Sequence, residues 1–128
     1  MYALAIIGPT ASGKSRLGMF LAGELGGEIV SMDSRQVYRG LDIGTSKPSP
    51  RDRESIPHHL VDILDPDEKN SAERHARLAR EAAAGARSRG RLPILVGGSG
   101  LYWRALFDGL FSICLLYTSP SPRDRTRS

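Results

Sequence analysis

Apolar residues fill Tyr2 to Ile7 without alternation. That pattern predicts a strand buried on both faces, as in the middle of a parallel sheet. The period then changes. Leu17, Phe20, Leu21 and Leu25 recur three and four apart, which predicts a helix from about Lys14 with that face on the core, stopped by Gly26-Gly27. Glu28-Ile-Val-Ser-Met32 predicts a second strand ending at Asp33. From Ser34 to Pro57 the chain breaks into turns at Arg39-Gly40, Ile43-Gly44, Lys47-Pro48 and Ser49-Pro50, and irregular segments of that length in a small domain are usually functional. Leu60 to Leu64 predicts another short strand, closed by Asp65-Pro66-Asp67. Asn70 is placed as the N-cap of a following helix, with Glu73 positioned to bond back. Its apolar stripe is Ala72, Ala76, Ala79, Ala83 and Ala86, widened by Leu78 and Ala82, and Gly90 closes it. Leu92 to Val96 predicts a buried strand, Gly97-Gly-Ser-Gly100 a polar turn, and Leu101, Tyr102, Ala105 and Leu106 the core face of another helix.

Strands separated by helices of this length predict an α/β fold, a parallel sheet with flanking helices, organised as one domain over residues 1–111. Beyond Phe111 the pattern dissolves. Ser112 to Tyr117 is apolar without useful periodicity, and Thr118 to Ser128 is a Ser/Pro/Arg tract that cannot bury a core. Residues 112–128 are expected to be an unrelated, disordered tail. Composition changes this picture little: 40% hydrophobic and 25% charged residues are those of a globular domain. The single cysteine, Cys114, excludes an internal disulfide framework and a cysteine-built metal site. No apolar run is long enough for a membrane helix, and a strand follows Met1 at once, so a cytoplasmic protein without a signal peptide is expected. Net charge is +4, a weak pointer to an anionic partner. Five arginines decorate the long helix, and a solvated face is the ordinary reading of them.

Chemistry enters at the first strand–helix junction. Gly8, Pro9, Thr10, Ala11, Ser12, Gly13, Lys14 and Ser15 satisfy the phosphate-loop pattern G-x-x-x-x-G-K-[ST], and strand-before, helix-after is the context that pattern needs. Glycines let successive N–H groups point inward as a nest for phosphate oxygens. The helix N-terminus and Lys14 add positive charge, and the Ser15 hydroxyl can ligate Mg²⁺. The βαβ unit brings Asp33 to the same sheet edge, which makes its carboxylate the second residue of interest. No aspartate ends the Leu92 strand, so the usual second magnesium ligand of such proteins is not found there.

Asp33-Ser-Arg-Gln-Val-Tyr38 and Leu41-Asp-Ile-Gly-Thr-Ser-Lys-Pro48 resemble the tRNA dimethylallyltransferases, also called tRNA isopentenyltransferases. So do Pro57-His-His-Leu-Val-Asp62, Leu95-Val-Gly-Gly-Ser-Gly-Leu-Tyr102 and the phosphate loop itself, all in the family's order from about Leu4 to Leu110. The resemblance implies a P-loop NTPase-like fold and transfer of a dimethylallyl group from dimethylallyl diphosphate to N6 of the adenosine just 3′ of the tRNA anticodon. The loop would hold the prenyl diphosphate with Mg²⁺, where a reading from the motif alone would say ATP. Asp33 occupies the family's catalytic-base position, with a Mg²⁺ ligand or a strand-end cap as its competing readings. Ser34, Arg35 and Gln36 match the stretch that contacts the target nucleotide, and Ser99 stands where the family usually has threonine near the reacting centre. Asp33 and Ser99 are thus candidates for both catalysis and tRNA binding. His58 and His59 match the pattern and are expected to be structural.

Family members are more than twice this length, so the chain reads as their N-terminal part, truncated, and a basic residue that the family supplies later has no counterpart here. A monomer is expected. Two other readings stay open. A small-molecule or nucleoside kinase would hold ATP in the loop with Asp33 as base toward a hydroxyl, and an inactive fragment would bind phosphates or RNA without turnover.

Overall fold

The computed structural model describes residues 3–8, 13–40 and 47–108, and the backbone of 114–118. In chain order the elements are β1 (Leu4–Ile7), α1 (Lys14–Leu25), β2 (Gly27–Ser31), α2 (Pro50–Ser55), β3 (His58–His59), α3 (Ala72–Ser88), β4 (Leu92–Gly97), α4 (Gly100–Asp108) and β5 (Cys114–Thr118). The strands form one sheet in the order β3-β2-β4-β1-β5, and every pairing is parallel. Strand alternation sends side chains to two different cores. On one face Ile6, Ile29, Ile94 and Val96 pack with Ala22 of α1. On the other, Ala5, Val30, Met32 and Leu95 pack with Ala76 and Ala79 of α3 and with Tyr102, Trp103 and Leu106 of α4. A parallel sheet covered by helices on both faces is the layer arrangement expected of a P-loop-type α/β domain.

The helix faces differ from expectation in an instructive way. The buried residues of α1 are Lys14, Gly18 and Ala22, while Phe20 and Leu25 are exposed. Small residues win because the helix lies close to the sheet: a Cβ on Gly18 would stand 3.0 Å from Val96 Cγ2. In α3 the alanine stripe is buried as expected, but His75 joins it, and the N-cap is Ser71, whose hydroxyl accepts from the Arg74 amide. Asn70 is thereby released for tertiary bonds. On α4, Leu101 is exposed and Trp103 takes its place in the core.

Three segments correct the sequence reading. Leu60 to Leu64 is not a strand, because Leu60 and Asp62 have φ of 66° and 56° and the extended run ends at His59. Helix α2 arises inside the stretch read as turns, with Ser49 as N-cap and Pro50 in its first turn, where a missing amide costs nothing. Cys114–Thr118, within the segment expected to be disordered, forms β5 along the open side of β1. An apolar run beside an unpaired parallel strand satisfies the backbone groups of both. The remainder of that expectation, residues 119–128, lies outside the described residues.

Beneath the C-terminal edge, Gly97 of β4 lies tight against the backbone that follows β2. A Cβ there would stand 2.3 Å from the Met32 carbonyl oxygen, a backbone atom that cannot swing away. Gly97→Ala is therefore expected to destabilise the domain by about 2–3 kcal/mol, read as a lower urea midpoint at unchanged slope. A midpoint equal to that of the unsubstituted chain would contradict this.

Candidate functional site at the C-terminal edge of the sheet

All strands run parallel, so the ends of β1, β2 and β4 emerge on one edge. Backbone bonds stitch these ends together. The Gly8 amide donates to Gly97 O at 3.3 Å, the Met32 amide to Val96 O at 2.8 Å, and the Ser99 amide to Met32 O at 3.3 Å. The residues following the three strands are thus held side by side by main-chain geometry, whatever their side chains. Gly13 opens α1 from the left-handed region, φ 83°, which favours glycine, and its carbonyl accepts the first helical bond from Leu17. Pro9, Thr10, Ala11 and Ser12, assigned to the phosphate loop, lie outside the described residues, as do residues 41–46 of the second motif.

Lys14 is buried at this edge, in the first turn of α1. Burial pushes its ammonium below the usual lysine range, and the negative charge of Asp33 opposes that shift. Lys14 and Asp33, assigned from different motifs, are thus within electrostatic reach of each other. Ser15 is exposed one position on. Its hydroxyl and the Asp33 carboxylate are hard oxygen donors, and Mg²⁺ commonly takes one or two such protein ligands, completing its shell with phosphate oxygens and water. The donor set fits the ion in kind. Among the described residues, no group of three or more His, Cys, Asp or Glu side chains forms a metal cage of its own.

Asp33 is half-buried and caps the turn that follows. Its Oδ1 accepts from the amides of Arg35 at 2.7 Å and Gln36 at 3.2 Å. The strand-end cap and the carboxylate within electrostatic reach of Lys14 are therefore the same residue, using one oxygen for the cap. Ser34 and Arg35 are exposed on the turn. Gln36 is half-buried, and its Oε1 accepts from Ser31 Oγ at 3.0 Å, which fixes the orientation of its amide. Ser99 stands at the start of α4, where its carbonyl accepts from Trp103 N and its amide is bonded to Met32, next to Asp33.

Behind this turn lies a buried polar chain that the hydrophobic pattern hides among the arginines of α3. His75 Nε2 donates to Ser31 O at 2.8 Å, and its Nδ1 accepts from Asn70 Nδ2 at 3.0 Å. Asn70 also donates to Tyr102 Oη at 3.1 Å, and the His75 and Tyr102 rings stack with centroids 4.2 Å apart. Burial lowers the His75 pKa, consistent with a neutral ring that donates from one nitrogen and accepts at the other. Burial likewise raises that of the Tyr102 phenol, opposed by the Asn70 bond and reinforced by the charges of Tyr38 and Asp33.

His58 and His59 stand away from this edge. His58 Nδ1 donates to Ile56 O at 2.7 Å, with burial holding its pKa down, and His59 Nε2 lies 2.7 Å from buried Glu28 Oε1. Lys47 and Asp62 belong to two separate sequence motifs, and the fold joins them at 2.5 Å beside the turn. Burial alone would raise the Asp62 carboxyl, but Lys47 and Arg53 hold it below the usual carboxylate value.

Comparison with known proteins places the chain in a family. The family model described as IPP transferase matches residues 36–128. A tRNA dimethylallyltransferase of Halorhodospira halophila is 64% identical over 107 residues, covering 84% of this chain and 34% of that protein. One of Koribacter versatilis is 58% identical over 107 residues, 84% of this chain and 35% of that protein. The crystal structure of the full-length tRNA isopentenylpyrophosphate transferase of Bacillus halodurans superposes with a TM-score of 0.79 at 42% identity, over 98% of this chain and 41% of that one. A eukaryotic dimethylallyltransferase acting on tRNA superposes with a TM-score of 0.77 at 36% identity, over 82% and 26%. The chain spans about a third of the length of the curated relatives it matches. This chain belongs to the IPP transferase family.

Proposed function

We propose that this chain is the diphosphate-binding part of an enzyme that transfers a dimethylallyl group from dimethylallyl diphosphate to N6 of the adenosine 3′-adjacent to a tRNA anticodon. The observation that carries the reading is the meeting of Lys14 and Asp33 at one sheet edge, with Ser99 tied to Met32 beside them. A buried cation from the loop and a carboxylate from the next strand are what an allylic displacement needs. The allylic C–O bond breaks as the C–N bond to N6 forms, and pyrophosphate departs with the bonding pair. Lys14 and the amides that open α1 stabilise the charge that develops on the diphosphate. Mg²⁺, held by Ser15, would add further neutralisation there. The amino group must shed a proton, and Asp33 accepts it.

Ser34, Arg35 and Gln36 lie on the turn that Asp33 caps, in position to meet the nucleobase once it leaves the anticodon-loop stack. Ser99 brings a hydroxyl to the same sheet edge, its amide bonded to the carbonyl of Met32, the residue before Asp33. A tRNA substrate implies action in the cytoplasm, and the chemistry calls on one copy of the chain. Among the described residues no helix is long and apolar enough to cross a membrane.

The test is a calorimetric titration of the chain with dimethylallyl diphosphate and, separately, ATP, each with Mg²⁺. Preference for the prenyl diphosphate is expected, because the relatives named above are prenyl-group transferases. Tight ATP binding with indifference to dimethylallyl diphosphate would sink the assignment and favour a kinase, in which the same lysine–carboxylate pair serves a substrate hydroxyl.

A further inference from the structure

The turn that carries Ser34, Arg35 and Gln36 is exposed at its tip, and local bonds hold its N-terminal side: the Asp33 cap, the Ser31 hydroxyl on Gln36 Oε1, and the Tyr38 amide on Arg35 O at 3.1 Å. Its C-terminal limb is held by something else. The Asp62 amide donates to Gln36 O at 2.9 Å, and the Ile63 and Leu64 amides both donate to Val37 O, at 2.9 and 3.0 Å. Tyr38 and Leu64 complete a parallel bridge, and the Arg39 amide donates to Leu64 O at 2.8 Å. This zipper exists because the chain after β3 leaves extended geometry twice, at Leu60 and at Asp62, both with positive φ. Neither is a glycine, so each conformation is unfavourable by itself and must be imposed by its surroundings.

At Asp62 the surroundings are visible. One carboxylate oxygen meets Lys47 Nζ at 2.5 Å and the other accepts from Arg53 Nη1 at 2.9 Å. Lys47 Nζ also donates to Tyr38 O at 2.6 Å, and its side chain is 9% exposed. Asp62 thus grips the turn at two points: through its amide on Gln36, and through its carboxylate and Lys47 on Tyr38. The two contacts bracket Val37, whose side chain is fully buried.

We propose that Lys47 and Asp62 are a positioning pair that sets the conformation of the Ser34–Gln36 turn and thereby the fit of the target nucleobase, without taking part in diphosphate binding. The proposal deepens the tRNA reading above and rests on it for the nature of the ligand. Lys47 approaches from the segment between the turn and α2, and Asp62 from the segment after β3, so the pair ties the C-terminal limb of the nucleotide-facing turn to two later parts of the chain. Lys14 and Ser15, by contrast, belong to the first turn of α1, which follows β1 in the chain and makes none of these contacts.

The test uses the full chain with Lys47→Met, Asp62→Asn and the double substitution. Asparagine tolerates the left-handed φ at position 62, so Asp62→Asn removes the charge while keeping the backbone conformation accessible. Three readouts are taken: affinity for magnesium pyrophosphate, affinity for an RNA hairpin carrying an anticodon loop, and amide hydrogen exchange. Pyrophosphate affinity is expected to stay within about twofold, RNA affinity to fall about tenfold in either single variant, and the double variant to lose no more than the worse single one. The Gln36, Asp62, Ile63 and Leu64 amides should exchange faster, while Val30 and Leu95 in the sheet keep their protection. Equal loss of pyrophosphate and RNA affinity would overturn the proposal in favour of a general structural role. Unchanged RNA affinity would overturn it outright. An unsubstituted chain that binds pyrophosphate and ignores the RNA would contradict the tRNA reading instead. The pair is then judged by exchange alone, and unchanged protection in Lys47→Met would sink it.

Discussion

Replacing Lys14 by methionine is expected to weaken binding of magnesium pyrophosphate to this chain about a hundredfold, the loss of a buried charge-assisted bond worth about 3 kcal/mol. The lysine side chain is nearly excluded from water in the first turn of α1, where burial already works against its charge. A ligand that brings negative charge relieves that cost, so the interaction is stronger there than on a surface. Folding should not suffer. Methionine has similar length and no charge to desolvate, so the melting temperature is expected to hold or rise while affinity collapses. Arginine keeps the charge but presents a planar fork on a longer stem in a confined site, and Lys14→Arg is not expected to restore affinity. Calorimetry on the two variants checks this. A Lys14→Met chain that binds pyrophosphate within threefold of the original would mean that the loop amides, not the lysine, hold the anion.

The parts of this site that were legible in the sequence are those governed by local rules. A phosphate loop is a backbone device with fixed side-chain requirements, and the strand before it announces itself by an unbroken apolar run. Asp33 could be placed because parallel strands linked by a helix must end on one edge. What stayed hidden depends on contacts distant in sequence. The face of α1 was misjudged because Gly18 and Ala22 carry little hydrophobic signal, yet small size is what close helix–sheet packing selects. Leu60 to Leu64 has the composition of a strand. Nothing in it foretells two positive-φ residues, or that one of them, Asp62, is held by Lys47 and by the Gln36 carbonyl. Asn70 fits an N-cap as well as Ser71 does, and the choice is made by His75 and Tyr102, which recruit its amide. His75 itself sits in an arginine-rich stretch whose charge masks a fully buried position.

The second large effect concerns stability, at the opposite end of the sheet. Glu28, near the start of β2, is 2% exposed and is gripped by Arg89 through two bonds, Nε to Oε2 at 2.9 Å and Nη2 to Oε1 at 2.7 Å. His59 Nε2 adds a contact at 2.7 Å and Arg91 Nε lies 3.5 Å away. The Arg89 bonds, opposed by burial and supported by His59, lower the Glu28 pKa from 4.5 to about 2. A carboxylate whose pKa is depressed on folding stabilises the fold above its unfolded value, and that contribution is lost as pH falls through the folded one. The shift alone corresponds to about 3 kcal/mol, and water reaching half-exposed Arg89 reduces this to about 2 kcal/mol. Glu28→Gln is therefore expected to destabilise the chain by about 2–3 kcal/mol at neutral pH, since it leaves several donors facing a neutral amide. The difference between the two chains should shrink as pH falls from 4.5 toward 2, where the original carboxyl also becomes neutral. Urea denaturation at pH 7 and pH 3 reads both quantities. Pyrophosphate affinity per folded molecule should not change, because this cluster lies at the far end of β2 from Asp33. A stability difference that is the same at both pH values would show that Glu28 acts by shape and hydrogen bonding, with its charge contributing nothing.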